Sequence, residues 1–318
     1  MVSTNLRFKD RLGAWKVRWG IGRMNYKIRP GLYAVGKPGR ASPVLVSANY
    51  KLTFDLLRKE LSGLDCWILI LDTKGINVWC AAGKGTFGTA ELVGRISKTG
   101  LSGIVSHRKL VLPQLGATGV SAYEVTRQTG FSIVYGPVRA KDLKAFLASG
   151  FKATEEMRTV QFTIWDRLVL TPVELVAAAK SSLFVFGVLF LINLFAARPF
   201  GLSDFIAYTG AVLTGTVITP LLLPLIPGKA FSWKGWLLGL LWTLGFIWHR
   251  GWLVSGFLPL AIGYLLVLPS LSAYLAMNFT GSSTYTSFSG VIKEMKIAVP
   301  LVALLSAAGI VLLLISSL

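Results

Sequence analysis

Cysteine is almost missing from this chain: Cys66 and Cys80 are the only two among 318 residues. Such a pair offers no disulfide framework, no zinc pattern and no set of ligands for an iron–sulfur cluster. Histidine is equally scarce. His107 and His249 stand far apart with no metal-ligand spacing, so both read as structural or surface residues. Acids number 14 against 33 lysines and arginines, and they are scattered without a paired-carboxylate signature. The opening Met1–Asp10 lacks an apolar run, which predicts no signal peptide and a cytoplasmic front half with reduced thiols. A phosphate loop is excluded as well, because Lys84 is followed by Gly85 and not by Ser or Thr.

What the chain does have is apolar residues, 53% of the total, with a mean hydropathy of +0.61. That is too high for an ordinary soluble domain. Only six of the lysines and arginines and two of the acids lie beyond residue 180, which leaves a net +15 in front of it. The pattern predicts a basic α/β domain followed by an all-α membrane domain. Apolar stretches at 181–197, 203–226, 232–249, 252–277 and 298–317 predict five transmembrane helices in a hydrocarbon core roughly 30 Å thick. Lysines 229, 234, 293 and 296 fall in the second and fourth loops, favouring an amino terminus inside and a carboxyl terminus outside. No ionisable residue lies deep in a span, which counts against a pump or transporter.

Residues 1–40 read as a basic lead-in, 41–170 as the α/β domain and 171–180 as a linker. In the domain, strands are expected at 43–48, 66–71, 109–113, 131–135 and 160–164. Helices are expected at 52–61, 91–97, 121–129 and 141–148. This alternation predicts a doubly wound, Rossmann-like, mostly parallel sheet with ligands outside the carboxyl ends of the strands. Those ends carry Thr53 nearby, the 72–83 segment, Gly116, Ala117, Thr118 and Gly119, and Ala140.

The segment Gly75 to Gly88 follows the apolar run Trp67–Leu71 and reads as a loop. Its glycines match G-x-G-x-x-G from Gly83 to Gly88, but the acid expected about twenty residues on is replaced by the basic Ser106-His107-Arg108-Lys109. A membrane-tethered dinucleotide oxidoreductase is thus a rival of low weight. Nucleic-acid binding finds no module to support it, so the basic charge reads as a solvated face or as a surface for an acidic protein. Cys66 opens an apolar strand and reads as a core residue. Cys80, between Trp79 and the small residues Ala81, Ala82 and Gly83, is placed for ligand chemistry.

The run Asn77-Val78-Trp79-Cys80-Ala81-Ala82-Gly83-Lys84 closely resembles the signature of the HgcA family, the mercury-methylating corrinoid membrane proteins. The segments 47–55 and 112–120 look like the corrinoid domain of the corrinoid iron–sulfur protein of acetyl-CoA synthesis, and the likeness extends through 278–287. The resemblance implies a cobalamin-type corrinoid bound base-off, with the Cys80 thiolate as lower axial ligand to cobalt. It implies Asn77, Val78, Trp79, Ala81, Ala82, Gly83 and Lys84 as the cofactor shell, to which placement at the strand ends adds Thr53, Gly116, Ala117, Thr118, Gly119 and Ala140. The family's reaction takes a methyl group from a methyl donor protein or methylated folate and passes it to Hg(II), giving methylmercury. The implied partner is a ferredoxin of the HgcB type with two 4Fe–4S clusters, and the implied location is the cytoplasmic membrane with the corrinoid domain facing inward. The alternative is a membrane-anchored corrinoid methyl carrier whose acceptor is not mercury.

Overall fold

A computed structural model of the chain describes residues 1–253, 255–283 and 285–317. The described residues form two compact units, Met1–Val17 with Ile21–Gln161, and Arg18–Gly20 with Phe162–Leu318.

The first unit is built on a five-stranded sheet. Its strands are β1 (Gly31–Val35), β2 (Val44–Ala48), β3 (Cys66–Leu71), β4 (Lys109–Leu112) and β5 (Ser132–Tyr135), in the order β1-β3-β2-β4-β5. The four strands β2 to β5 run parallel, and β1 alone is antiparallel, on β3. The helices are α1 (Phe8–Arg18), α2 (Lys51–Glu60), α3 (Val78–Gly83), α4 (Thr89–Thr99), α5 (Leu101–Ile104), α6 (Ala122–Thr129), α7 (Leu143–Ala148) and α8 (Glu155–Arg158). Successive strand residues point to opposite faces, so both faces are apolar. Val44, Val46, Leu69 and Leu71 pack with Leu92 and Ile96 of α4 and Val125 of α6. Leu45, Ile68 and Ile70 pack with Phe54 and Leu57 of α2 and Phe146 of α7. The chain steps from β2 to β3 on one side and returns to β4 on the other, which opens a crevice at the carboxyl ends of β2 and β4.

Several expectations are corrected. Residues 1–40 are no plain lead-in, for they hold α1 and the edge strand β1. The expected strand at 160–164 is not formed. Phe162 sits at φ 45°, and Thr163 caps the helix Ile164–Leu168 through a reciprocal box with Asp166, which starts a helix where a strand would run. The expected linker 171–180 is the first part of a continuous helix, Thr171–Asn193.

One device ties α1 to α2. Asp10 accepts from Lys51 Nζ at 2.7 Å and from Arg58 Nη2 at 2.9 Å, and Asp55 accepts from Arg58 Nε at 2.8 Å. Arg58 also donates to the carbonyls of Ser3 and Asn5. The hydrogen bond from Lys51, opposed by burial and helped by the Arg7 N–H and Arg58, holds Asp10 down at about 2. A depressed carboxylate contributes its stability above its ordinary value of 3.8 and loses it as the pH falls toward about 2. Peptic cleavage within residues 1–18 should therefore rise across that window, and Asp10→Asn should show the same cleavage at its upper edge. Unchanged cleavage in the variant would mean that other contacts hold α1.

In the second unit, four described helices are long and apolar enough to cross a membrane: Ile164–Asn193, Leu202–Leu222, Leu258–Gly281 and Ser289–Ser317. The helix Phe231–His249, expected as a fifth span, is not among them. Trp233, Trp236, Trp242 and Trp248, three glycines and Lys234 dilute its hydropathy. The helix Leu258–Asn278 lies at the centre of this unit, and small residues let its neighbours come close. A Cβ on Gly239 would lie 2.7 Å from that of Ser272, whose hydroxyl donates to the Ala211 carbonyl at 2.8 Å.

Candidate functional site

Cys80 is fixed by the turn that precedes it. Asn49, at the end of β2, is buried, and its Oδ1 accepts from the N–H groups of Thr73 and Gly75 at 3.1 and 2.9 Å. Its Nδ2 donates to Asp72 Oδ1 at 3.2 Å. Burial would raise the Asp72 carboxyl, but the Lys74 N–H, the Lys74 ammonium and the Asn49 amide outweigh it and hold it below its usual value. Lys74 and Gly75 both have positive φ, 59° and 78°, which reverses the chain within two residues. Asn77 then caps α3, its Oδ1 accepting from the Cys80 N–H at 2.9 Å. The expected loop is thus a six-residue helix with Cys80 in its first turn.

The helical turn sorts the motif. Val78, Ala81 and Ala82 face the core beside Phe87, whereas Trp79 is 39% exposed, Cys80 is half-buried, and Gly83 and Lys84 are exposed. Because α3 intervenes between β3 and the glycines, the G-x-G-x-x-G stretch is not the strand-to-helix turn that a dinucleotide fingerprint requires. Among the described residues no cluster of His, Cys, Asp and Glu is suited to hold a metal ion.

Beside α3 lies a cavity of about 360 Å³ in the crevice at the strand ends. Leu45, Val46 and Ser47 of β2, Val111 and Leu112 of β4 and the following Pro113 form its floor. Thr53, Leu56 and Leu57 of α2 close one side, and Gly136 to Val138, Ala140 and Leu143 another. Asn77, Val78 and Trp79, the three residues before Cys80, form a further wall. The lining is apolar except for a few groups. Ser47 is 3% exposed, and no hydrogen bond among the described residues occupies its hydroxyl or that of Thr53.

Of the expected site residues, the structure thus brings Asn77, Val78, Trp79, Thr53 and Ala140 together around one cavity, with Cys80 next to its wall. Ala81 and Ala82 serve the core instead. Gly116 and Gly119 pack behind α3: a Cβ on Gly116 would lie 2.5 Å from the Phe87 ring, and one on Gly119 would lie 2.1 Å from the Phe87 carbonyl. Ala117 and Thr118 share that loop and do not line the cavity, nor do Gly83 and Lys84. Sequence reading missed Leu56, Leu57, Leu115 and Leu143 as lining. Leu56 is 45% exposed on a helix whose neighbours are buried, a placement that an apolar period alone does not distinguish from core.

Residues 22–147 match the family model described as CO dehydrogenase/acetyl-CoA synthase delta subunit. The chain is 36% identical over 124 residues to the acetyl-CoA decarbonylase/synthase complex subunit gamma of Methanopyrus kandleri, which covers 38% of this chain and 26% of the relative. It is 30% identical over 135 residues to the subunit gamma of Archaeoglobus fulgidus, 42% of this chain and 28% of that protein. The subunit gamma of Methanocaldococcus jannaschii is 31% identical over 126 residues, 39% and 25% of the two chains. The chain therefore spans about a quarter of the length of these relatives. The family-model match stops before the long apolar helices, the first of which begins at Ile164.

Proposed function

We propose, from the premise that residues 22–147 are a domain of the CO dehydrogenase/acetyl-CoA synthase delta-subunit family, that this chain is a membrane-anchored corrinoid protein of the HgcA type that transfers a methyl group to Hg(II). The observation that carries the reading is the placement of Cys80, half-buried on a short capped helix beside an apolar cavity at the carboxyl ends of parallel strands.

The residues present fit a corrinoid. The walls are apolar, the hydroxyls of Ser47 and Thr53 are available to a polar edge, and nothing lies within 4 Å of where a Cβ on Gly83 would point. A corrinoid, when bound, supplies a cobalt centre able to carry a methyl group. The chain's own part follows from its geometry. Cys80 offers a single soft donor, suited to base-off, Cys-on ligation, and the Asn77 cap holds its backbone in place. Trp79 covers the same wall and keeps water from it. Were a corrinoid held there, the Cys80 thiolate would be its soft donor and the group would supply the methyl-transfer chemistry to Hg(II).

The coarser reading, a corrinoid methyl carrier with another acceptor, draws support from the acetyl-CoA-synthase names of the relatives. Because this chain has no cysteine set for a cluster, reduction falls to a separate protein, an HgcB-type ferredoxin with two 4Fe–4S clusters. The methyl donor would be a methyl donor protein or methylated folate. On this reading the α/β unit faces the cytoplasm, where a reduced ferredoxin and a methyl donor are supplied.

The test is to purify the full chain, measure cobalt and the corrin spectrum, and offer Hg(II) with a methylated donor and the reduced ferredoxin. Methylmercury is expected. A corrin spectrum without methylmercury leaves the carrier with another acceptor, and a chain that takes up no cobalt from supplied corrinoid defeats both readings. Since every cavity residue lies between Leu45 and Leu143, residues 1–161 expressed alone should also take up corrinoid. Uptake by the full chain only would place part of the site in the helices.

The helix Phe231–His249 is proposed as a fifth crossing. It packs closely on the central apolar helix, a Cβ on Gly235 lying 2.5 Å from that of Ala276, so it shares that helix's depth. A reporter fused after residue 318 should then read outside the cytoplasm, and a cytoplasmic signal would reduce the count to four.

A further inference from the structure

We propose that a cavity among three helices of the second unit seats the headgroup of phosphatidylethanolamine, a phospholipid with a primary ammonium. The cavity, of about 430 Å³, lies between the helices Phe231–His249, Leu258–Asn278 and Ser289–Ser317. Ser270 and Ala273 of the central helix form its floor, and Leu301 and Leu305 carry its apolar wall on along the last helix.

Only two acids, Asp204 and Glu294, occur beyond residue 180, and the fold uses them differently. Both oxygens of Asp204 accept hydrogen bonds, one from the Tyr264 hydroxyl and one from the Gly201 N–H. Glu294 lines the cavity with one oxygen occupied. Its Oε1 accepts from the Ser232 N–H at 2.6 Å, in the first turn of the helix Phe231–His249. Its Oε2 has no hydrogen-bond partner among the described residues, and Glu294 makes no ion pair among them. Lys234, in the same turn, donates instead to the Leu223 carbonyl. Ser232 lines the cavity too. It is 8% exposed, and no hydrogen bond among the described residues occupies its hydroxyl. Beside these two acceptors Trp233 and Trp236 stack, with centroids 5.7 Å apart and planes 15° apart. Gly228 holds the first of them, since a Cβ there would lie 2.8 Å from the Trp233 ring.

A free carboxylate oxygen, a free hydroxyl and an aromatic wall together suit a cation that can donate hydrogen bonds. A primary ammonium brings three N–H donors. A trimethylated one would meet the aromatic wall but leave both oxygens unpaired. The uncharged helix from Ile297 to Ser317 is roughly 30 Å long, the thickness of a hydrocarbon core, so Glu294 stands at headgroup level. Lys293 and Lys296 flank it, both exposed, and supply cations for the phosphate that adjoins the ammonium in such a lipid. The apolar remainder of the cavity takes the start of an acyl chain.

The test is native mass spectrometry of the full chain, stripped of lipid in detergent. It is offered phosphatidylethanolamine, its mono-, di- and trimethylated forms, or phosphatidylglycerol, all with the same acyl chains. Adducts of phosphatidylethanolamine should be several-fold more abundant than those of the trimethylated lipid and should decline with each methyl. Glu294→Gln keeps the carbonyl that accepts from Ser232 but removes the charge, and should bring phosphatidylethanolamine down to the trimethylated level. Ser232→Ala keeps the N–H and should lower it by a smaller factor. A phosphatidylethanolamine with a diazirine near its glycerol should label residues 229–236 or 292–305 on illumination. Equal adducts across the methylated series, a preference for phosphatidylglycerol, or adducts untouched by Glu294→Gln overturn the proposal. So does labelling confined to other segments. Full competition by phosphoethanolamine without acyl chains would make the occupant a water-soluble amine and overturn it too.

Discussion

Cys80→Ala is expected to bring methyl transfer to Hg(II) down to background while leaving the α/β unit folded. The side chain is half-buried and makes no hydrogen bond of its own among the described residues, since the contact to Asn77 is through the backbone N–H. Removing its sulfur therefore opens little space and leaves the α3 cap intact. The loss in rate should exceed the roughly 10–100-fold typical of losing a group that merely supports a metal ligand, because on the proposed reading the substitution removes the ligand itself. Corrinoid should still bind through the cavity walls, but with a changed visible spectrum. That spectral change separates loss of ligation from loss of folding. An unchanged spectrum with transfer at the wild-type rate would sink the Cys-on assignment.

The other cysteine gives the contrast. Cys66 opens β3 with 0% exposure, and burial, aided by the neighbouring Asp65 charge, pushes its thiol up to about 12. It is a neutral, packed side chain at any working pH. Cys66→Ala should cost about 1 kcal/mol of stability and leave spectrum and transfer unchanged. The same substitution thus acts on chemistry at one position and on packing at the other.

What the sequence displayed well were features with strong period or strong punctuation. β3 lies at residues 66–71, where its apolar run predicts it, because a strand buried on both faces has an unbroken run of large side chains. β1 stayed hidden, since Gly31–Val35 is a half-buried edge strand within a basic, glycine-rich stretch and has no alternation to mark it. The strand-end placement of the site followed from the α/β alternation alone. Which small residues line the cavity and which pack the core did not. Gly116 and Gly119 are small because Phe87 and Ala82 of α3 press on them, a contact between residues distant in sequence that no local pattern encodes. The role of Asn49 was hidden for the same reason, since its partners Thr73 and Gly75 lie more than twenty residues on.

That distinction between packing glycines and open ones yields the second large effect. Gly119→Ala should weaken the site by deforming the fold. A Cβ there would meet the Phe87 carbonyl at 2.1 Å and the Ala82 Cα at 3.0 Å, both backbone atoms that no rotamer change can move aside. Phe87 is in turn bonded through its N–H to the Ala81 carbonyl at 3.1 Å, so relief of the clash displaces the far end of α3, the helix that carries Cys80. Overpacking of this kind costs about 1–3 kcal/mol, and more when backbone must shift. The expected result is a lower melting temperature in the protein without corrinoid, together with reduced cobalt uptake. Gly83→Leu should do the reverse. Gly83 is exposed at the end of α3 with nothing within 4 Å of its missing Cβ, so the fold should tolerate the larger side chain to within about 0.5 kcal/mol. If the open space over Gly83 is where the flat face of the cofactor approaches, cobalt uptake should nevertheless fall several-fold. Thermal melts of both variants without cofactor, followed by cobalt assay after reconstitution, decide it. Full uptake by Gly83→Leu would remove that face of α3 from the site, and an unperturbed melt for Gly119→Ala would show that the loop after β4 can yield without moving α3.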